Sequence, residues 1–295
     1  MTDRPAGPEI PVATAESPAR EAWRMFLRNR SAILGLVLLA AIILVSLFGP
    51  PLYGVDPFKI RGAPFTPPGV DPNVPLGTDH VGRDILAGMI GGGRATLAVG
   101  ASAALMTVAI GLLVGAMAGY YGGLVDEILM RITEFFQVLP SLILAMVLVA
   151  LFTPSLYMIA IAIGVASWQS TARLARAEFL RLKELEYVKA GRTIGATDRR
   201  LIWVVILPNA LPPLIVSATL IVGVAILFEA GLSFLGLGDP NIMSWGLMIG
   251  SSREYIFDSW WSATFPGAAI FLSVLSVSLI GDGLNDALNP KLRER

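Results

Sequence analysis

Five stretches of this chain carry no charged residue at all: 31–55, 95–125, 135–172, 201–228 and 259–281. No other feature limits its fold as much. A helix needs roughly 20 apolar residues to cross about 30 Å of hydrocarbon. Backbone polar groups in lipid must pair within the segment, so the windows read as helices rather than loose chain. Thr153 to Ser155, "TPS", divides the third window in two. The windows therefore predict six spans, at about 32–50, 95–118, 134–152, 155–173, 208–235 and 262–284.

Composition agrees. Hydrophobic residues make up 55% of the chain and charged residues 15%, against about 25% charged in soluble domains. The fold class expected is all-α integral membrane. Formal charge is zero, with 22 basic and 22 acidic residues, so nothing draws the chain to nucleic acid. It has no cysteine and one histidine, His80. That excludes disulfides, thiolate chemistry and multi-histidine metal clusters. Residues 1–20 read as the start of a disordered tail, within a tail reaching residue 30. The first apolar run is too long for a cleaved signal peptide.

Basic residues set the orientation. With the N-terminus inside, cytoplasmic segments hold 17 of the 22 Lys and Arg. They are the N-tail, the 119–133 turn, the 174–207 loop counted from Arg173, and the C-tail, 287–295. The domain reading is a tail (1–30), a first span with a long external loop (31–94), and a core transmembrane domain (95–286). Tryptophans 245, 260 and 261 suit an interfacial belt.

Several motifs are absent. No G-x-x-x-x-G-K-[ST] loop occurs, so the chain should not hydrolyse nucleotide. G-x-S-x-G, H-E-x-x-H and C-x-x-C are missing too. Gly111, Gly115 and Gly119 recur every four residues, which reads as a close helix-packing face. Asp126, Arg131 and Glu134 read as interfacial or interhelical pairs. Glu229 is an acid inside an apolar span. It reads either as a pathway or gate residue, or as a structural group capping a turn or pairing with a neighbouring helix.

One cytoplasmic stretch is charged and finely punctuated: "EYVKAGRTIGATDRRLIWVVILPNA", 186–210. Leu174, Phe179, Leu182, Leu185 and Val188 recur at helical spacing and predict one helix over 170–194. Gly195 suits the position just past a helix end, where positive φ costs little. Thr197 is an N-cap candidate with Asp198 in the first turn. Ala190, Gly191 and Ala196 keep the bend slim. A plain amphipathic interfacial loop would explain the arginines. It would not explain small residues at the tip of a charged projection, which suit docking.

The spacing here resembles the signature loop of ABC importer permeases. That pattern runs acid–Ala–Ala, three residues, Gly, nine residues, then aliphatic–x–Leu–Pro. Here it reads Lys189-Ala190-Gly191, then Gly195, then Val205-Ile206-Leu207-Pro208. Lysine replaces the acid and glycine the second alanine. "PLGTDHVGRDILAGMIGGGRATL", "GYYGGLVDEILMRITEFFQVLPSLILA", "EAGLSFLGLGDPNIMSWGLMI" and "WWSATFPGAAIFLSVLSVSLIGDGLNDALNP" extend the likeness over about 20–291. Together they are similar to the second permease subunit of the dipeptide/oligopeptide/nickel branch.

The resemblance implies the binding-protein-dependent importer permease fold, with a cytoplasmic coupling-helix loop over 174–207. It implies no catalytic residue and no cofactor in this chain, with ATP and Mg held by partner subunits. The partners implied are a homologous permease, two ABC ATPase subunits, an extracytoplasmic binding protein, membrane lipid and a peptide cargo. Lys189, Ala190, Gly191, Gly195, Ala196 and Thr197 would form the bend entering the ATPase cleft. Arg192, Asp198, Arg199 and Arg200 would be its polar rim. Leu207 and Pro208 would set re-entry into the membrane. Nickel or another small solute is the alternative cargo. An ion-coupled secondary transporter would call for inverted repeats and broken helices at a midplane site.

Overall fold

The computed structural model describes residues 18–288, and within them the chain is helical, without strands. The sequence reading of residues 1–17 and 289–295 lies outside the described residues. A short amphipathic helix, α1 (Pro18–Arg28), occupies part of the expected tail. Its Phe26 is buried against Ala32 and Ala287. The second helix, α2 (Arg30–Tyr53), opens on Asn29, whose side chain accepts from the Ala32 N–H. It closes on Gly54 at φ 67°, whose N–H bonds Pro50. A long helix follows, α3 (Ile85–Tyr121), capped by Asp84 through the N–H groups of Leu86 and Ala87. It begins ten residues before the expected edge of its span. The "GGGR" that reads as loop is helical, because Gly92 and Gly93 let the indole of Trp245 and the side chain of Ser46 lie against the backbone.

The six-span expectation is corrected here. Among the described residues four helices are long and apolar enough to cross a membrane: Arg30–Tyr53, Ile85–Tyr121, Asp198–Phe234 and Trp261–Leu288. A fifth is added if α4 (Gly123–Val138) and α5 (Ser141–Leu151) count as one broken span, bent by 85°. The bend has a local cause. Pro140 offers no N–H, and Leu139 before it is extended at φ −78°, ψ 127°, as a residue preceding proline prefers. The expected 155–173 span yields α6 (Leu156–Ser167), 12 residues long. At 1.5 Å per residue that is only about 18 Å. Its continuation, α7 (Gln169–Lys183), soon carries Arg173, Arg176, Arg181 and Lys183. A charge-free window records apolar length, not the straightness of the helix within it.

The core forms where small residues let helices touch. A Cβ on Gly111 would lie 2.5 Å from Thr171 Cβ, one on Gly115 2.7 Å from Ala175 Cβ, and one on Gly119 2.7 Å from Phe179 Cβ. Position numbers rise together on both helices, so α3 and α7 run parallel. The 122–155 segment therefore returns the chain to the end of the bundle where α6 begins. Beside this seam Asp126 accepts from Arg176 Nε and Nη2 at 2.5 and 2.6 Å, a bidentate pair between α4 and α7. Arg131 and Glu134 pair within α4, exposed.

The chain then bends through α8 (Glu186–Thr193) and α9 (Asp198–Arg200). A π turn over Leu201–Ile206 leads into α10 (Leu207–Phe234). The far end of the bundle holds α11 (Trp245–Ser252) and the start of α12 (Trp261–Leu288). Two of the three tryptophans expected in an interfacial belt are buried there. Trp245 donates its indole N–H to Met89 O at 2.8 Å, and Trp261 to Thr78 O at 3.0 Å. A buried indole needs such a partner. Trp260, 54% exposed, is free to meet an interface.

Candidate docking bend and buried carboxyl

Residues 184–200 project from the end of the bundle where α3 finishes. Val188 is buried, Gly191 and Ala196 are half-buried, and the others from Glu184 to Arg200 are exposed. The single helix expected over 170–194 is broken at Glu184–Leu185. Leu182 and Val188 both enter the core. Six residues apart, they would face different sides of an unbroken helix at 3.6 residues per turn. The break turns α8 so that both pack inward.

The glycine turn forms as its residue types require. Gly195 sits at φ +85°, and a Cβ there would meet nothing within 4 Å. Its N–H bonds Arg192 O at 3.0 Å, and the Ala196 N–H bonds Gly191 O at 3.0 Å. Thr197 then caps α9, accepting from the Arg200 N–H at 3.4 Å. At the tip stands Ile194, 86% exposed. It leaves a small apolar tip on a charged projection. Lys189 pairs with Glu184 at 2.9 Å and pulls that carboxyl below the usual range. Arg199 and Arg200 are exposed.

The bend stands on a firm base. Val188, Leu201, Ile206, Ala210 and Leu214 share a buried cluster with Tyr120, Ala175, Phe179 and Leu182. Tyr120 locks the bend to α3. Its hydroxyl donates to Asp198 Oδ1 at 2.5 Å, across 78 residues of sequence. The same hydroxyl accepts from Arg192 Nη2 at 3.3 Å, and that guanidinium lies 5.6 Å over the ring. These contacts hold Arg192 protonated more firmly than usual. Lys183 Nζ donates to Gly119 O at 2.7 Å and adds a second tie. The expected rim residues Arg192 and Asp198 thus also reach back to the membrane helix. Tyr120 and Ile194 escape a sequence reading. The "GYYGG" run hints at a turn, but nothing local links Tyr120 to Asp198.

Leu207 and Pro208 mark the re-entry. Proline lacks an N–H and crowds the carbonyl four residues before it. The π turn ending at Ile206 widens the helix there, and the Leu207 N–H reaches back to Ile202 O. Asn209 Nδ2 donates to Val205 O at 2.7 Å and satisfies one carbonyl of the widened turn.

Glu229 belongs to a different place. It lies 22 residues beyond Leu207 on α10, about 33 Å along the axis. The residue is fully buried. Its Oε1 accepts from Ser233 Oγ at 2.9 Å and Ser244 Oγ at 2.8 Å, while Oε2 has no hydrogen-bond partner among the described residues. Ser244 Oγ also caps α11 through the Leu247 N–H at 3.1 Å. Thr96 Oγ1, from α3, accepts from the Trp245 N–H at 3.1 Å. The carboxyl therefore sits where α10, α11 and α3 meet.

Comparison with known proteins places the geometry in context. Residues 111–294 match the model of the "binding-protein-dependent transport system inner membrane component" family. Residues 17–68 match the "N-terminal TM domain of oligopeptide transport permease C". A di/tripeptide transport system permease protein, DppC of Pseudomonas aeruginosa, is 40% identical over 96% of this chain and 95% of its own length. The dipeptide permease DppC of Haemophilus influenzae is 39% identical over 95% of this chain and 97% of its own. The oligopeptide permease OppC of Bacillus subtilis is 37% identical over 93% of this chain and 90% of its own. Among solved structures, the fold matches a chain of the MetNI methionine ABC transporter in an inward-facing form. The TM-score is 0.55 at 20% identity, over 68% of this chain and 96% of that one.

Proposed function

This chain belongs to the binding-protein-dependent transport system inner membrane component family, as a permease subunit of an ABC importer, and we propose that it carries short peptides on energy delivered through the bend at Gly195. The subunit is non-catalytic; ATP hydrolysis belongs to partner subunits. Its helices make it a multi-pass inner-membrane protein. In our reading a homologous permease, two ATPases and an extracytoplasmic binding protein complete the machine. Both termini and the bend face the cytoplasm, on the strength of the 17 of 22 basic residues that they hold together with the 119–133 turn.

One observation carries the mechanism. The exposed 184–200 projection, tipped by Ile194, is tied to the end of α3 by Tyr120. A force on the bend then reaches α3, and through the glycine seam reaches α7, without passing through a flexible loop. Closure of an ATPase pair would tip these helices as one body, the rigid-body kind of switch. Lys189, Ala190, Gly191, Gly195, Ala196 and Thr197 make the contact in this reading. Arg192, Asp198, Arg199 and Arg200 rim it, and Leu207 and Pro208 carry the motion into α10. The direct test is uptake of a labelled dipeptide by the assembled transporter in proteoliposomes. Accumulation should need both ATP and the binding protein. Uptake driven by an ion gradient with this chain alone would sink the reading.

Tyr120→Phe keeps the ring in its cluster and removes the hydroxyl. Loss of hydrogen bonds to charged groups costs about 1.5–3 kcal/mol each. The expected result is a fall of several-fold in peptide moved per ATP, with ATPase activity kept. An unchanged ratio would remove Tyr120 from the transmission route.

For Glu229 the clasp position supports a structural role. Glu229→Gln keeps Oε1 as an acceptor and should transport near the parental rate. Glu229→Ala leaves two buried hydroxyls without their acceptor, at about 1–3 kcal/mol each, and should lower the yield of folded protein. A strong transport defect in well-folded Glu229→Gln would instead favour the pathway or gate role.

A further inference from the structure

At the end of the bundle opposite the bend is a cavity of about 160 Å³ between the start of α3, α11 and the loop after α2. Its wall has two characters. Met243, Leu247 and Met248 give an apolar side, and Asp79 and Arg83 bring opposite charges. These two charges do not pair with each other. Neither has an opposite charge within 4 Å among the described residues.

The protein holds both groups in place while leaving each without an opposite charge. Asp79 is 7% exposed. Its Oδ1 accepts from the N–H groups of Val81 and Arg83 at 2.9 and 2.8 Å, which fixes the carboxylate. The Arg83 guanidinium lies 5.5 Å over the Phe58 ring, and its Nε is buried without a hydrogen-bond partner. Asp84, which also lines the cavity, is saturated. It caps α3, accepts from Tyr53 Oη at 2.7 Å and faces Arg61 at 3.6 Å. Burying charge without a partner is costly. A ligand with one charge of each sign and an apolar body would relieve both.

We propose that this cavity binds a short zwitterionic peptide as it enters. The ammonium would meet Asp79, the carboxylate would meet Arg83, and a side chain would lie along Met243, Leu247 and Met248. Methionine is flexible and polarizable, and such surfaces accept varied partners. A site built this way holds peptides by their ends and tolerates their side chains. The inference rests on the peptide-import reading and adds a place where this chain itself touches cargo.

The test is saturation-transfer NMR on the complete transporter in nanodiscs, without the binding protein. The probes are the dipeptide Ala-Phe, its N-acetyl, C-amide derivative, and free phenylalanine. Ala-Phe should show transfer to its ring protons. Blocking the termini, or Arg83→Gln, should weaken the signal about ten-fold or more, as loss of a hydrogen-bonded charge does. Ser251→Trp, which brings an indole into the cavity from α11, should abolish it, and thermal unfolding of both variants near the wild-type temperature guards against misfolding. Phenylalanine should be weaker than Ala-Phe; equal transfer would overturn the peptide assignment in favour of free amino acids. Equal Ala-Phe signals in both variants would overturn the site. So would silence from a wild-type assembly that still takes up Ala-Phe with ATP. A wild-type assembly that takes up no Ala-Phe would instead overturn the import reading from which the ligand class follows.

Discussion

Gly195→Trp is expected to reduce ATP-driven uptake to background while the protein still inserts and assembles its helices. The reason lies in what surrounds Gly195. Its φ of +85° disfavours any side chain, at about 1–2 kcal/mol. A Cβ would meet no atom within 4 Å, so an indole there would point into open space and disturb no packing in this chain. Its bulk would stand on the surface proposed to meet the ATPase. The loss therefore reports docking rather than folding. Gly195→Asn is the control, because asparagine tolerates positive φ and is small. It should retain most uptake. Membrane yield and detergent stability measured beside uptake separate the two causes. Full uptake by Gly195→Trp would mean that the bend touches nothing of consequence.

Gly115→Leu should have the largest effect on stability. At this point α3 and α7 meet backbone to backbone. A Cβ on Gly115 would press on Ala172 O, 2.7 Å from Ala175 Cβ and 2.9 Å from Arg176 N. None of these is the end of a flexible side chain, so the helices must part. Overpacking of this kind costs about 3 kcal/mol or more where backbone blocks relief. Separation would also strain the Asp126–Arg176 pair and the Tyr120 clamp beside the seam. Gly267→Leu in α12 is the matched comparison, since a Cβ there meets nothing within 4 Å. Both changes place the same side chain in a membrane-spanning helix. Thermal unfolding of the purified complex should show a large drop for Gly115→Leu and little for Gly267→Leu. Equal drops would trace the effect to the loss of glycine itself, not to helix contact.

Much of this arrangement is legible in residue order, and the parts that are not share a cause. Charge-free length finds α2, α3, α10 and α12. The four-residue spacing of Gly111, Gly115 and Gly119 finds the α3 seam, because small residues at that period leave a groove on one helix face. Gly195 and Thr197 announce their turn, since positive φ and an N-cap have strong residue preferences. What escapes is set by contacts distant in sequence. The 85° bend at Pro140 splits a window that composition sees as continuous. The "GGGR" run is helical because Trp245, some 150 residues away, packs on it. Trp245 and Trp261 look like interfacial anchors until Met89 and Thr78 accept their N–H groups. Tyr120 meets Asp198 only once α7 and the bend have folded back.

The bend is proposed as the place where another subunit's work enters this chain. The absence of cysteine from the sequence makes a direct measurement simple. Ile194→Cys places a single thiol at the exposed tip, and a short bifunctional reagent applied to the purified transporter shows what lies beside it. A cross-link to the ATP-hydrolysing subunit is expected, with a yield that changes when nucleotide is added. No cross-link to that subunit, in a complex that hydrolyses ATP and takes up peptide, would contradict it.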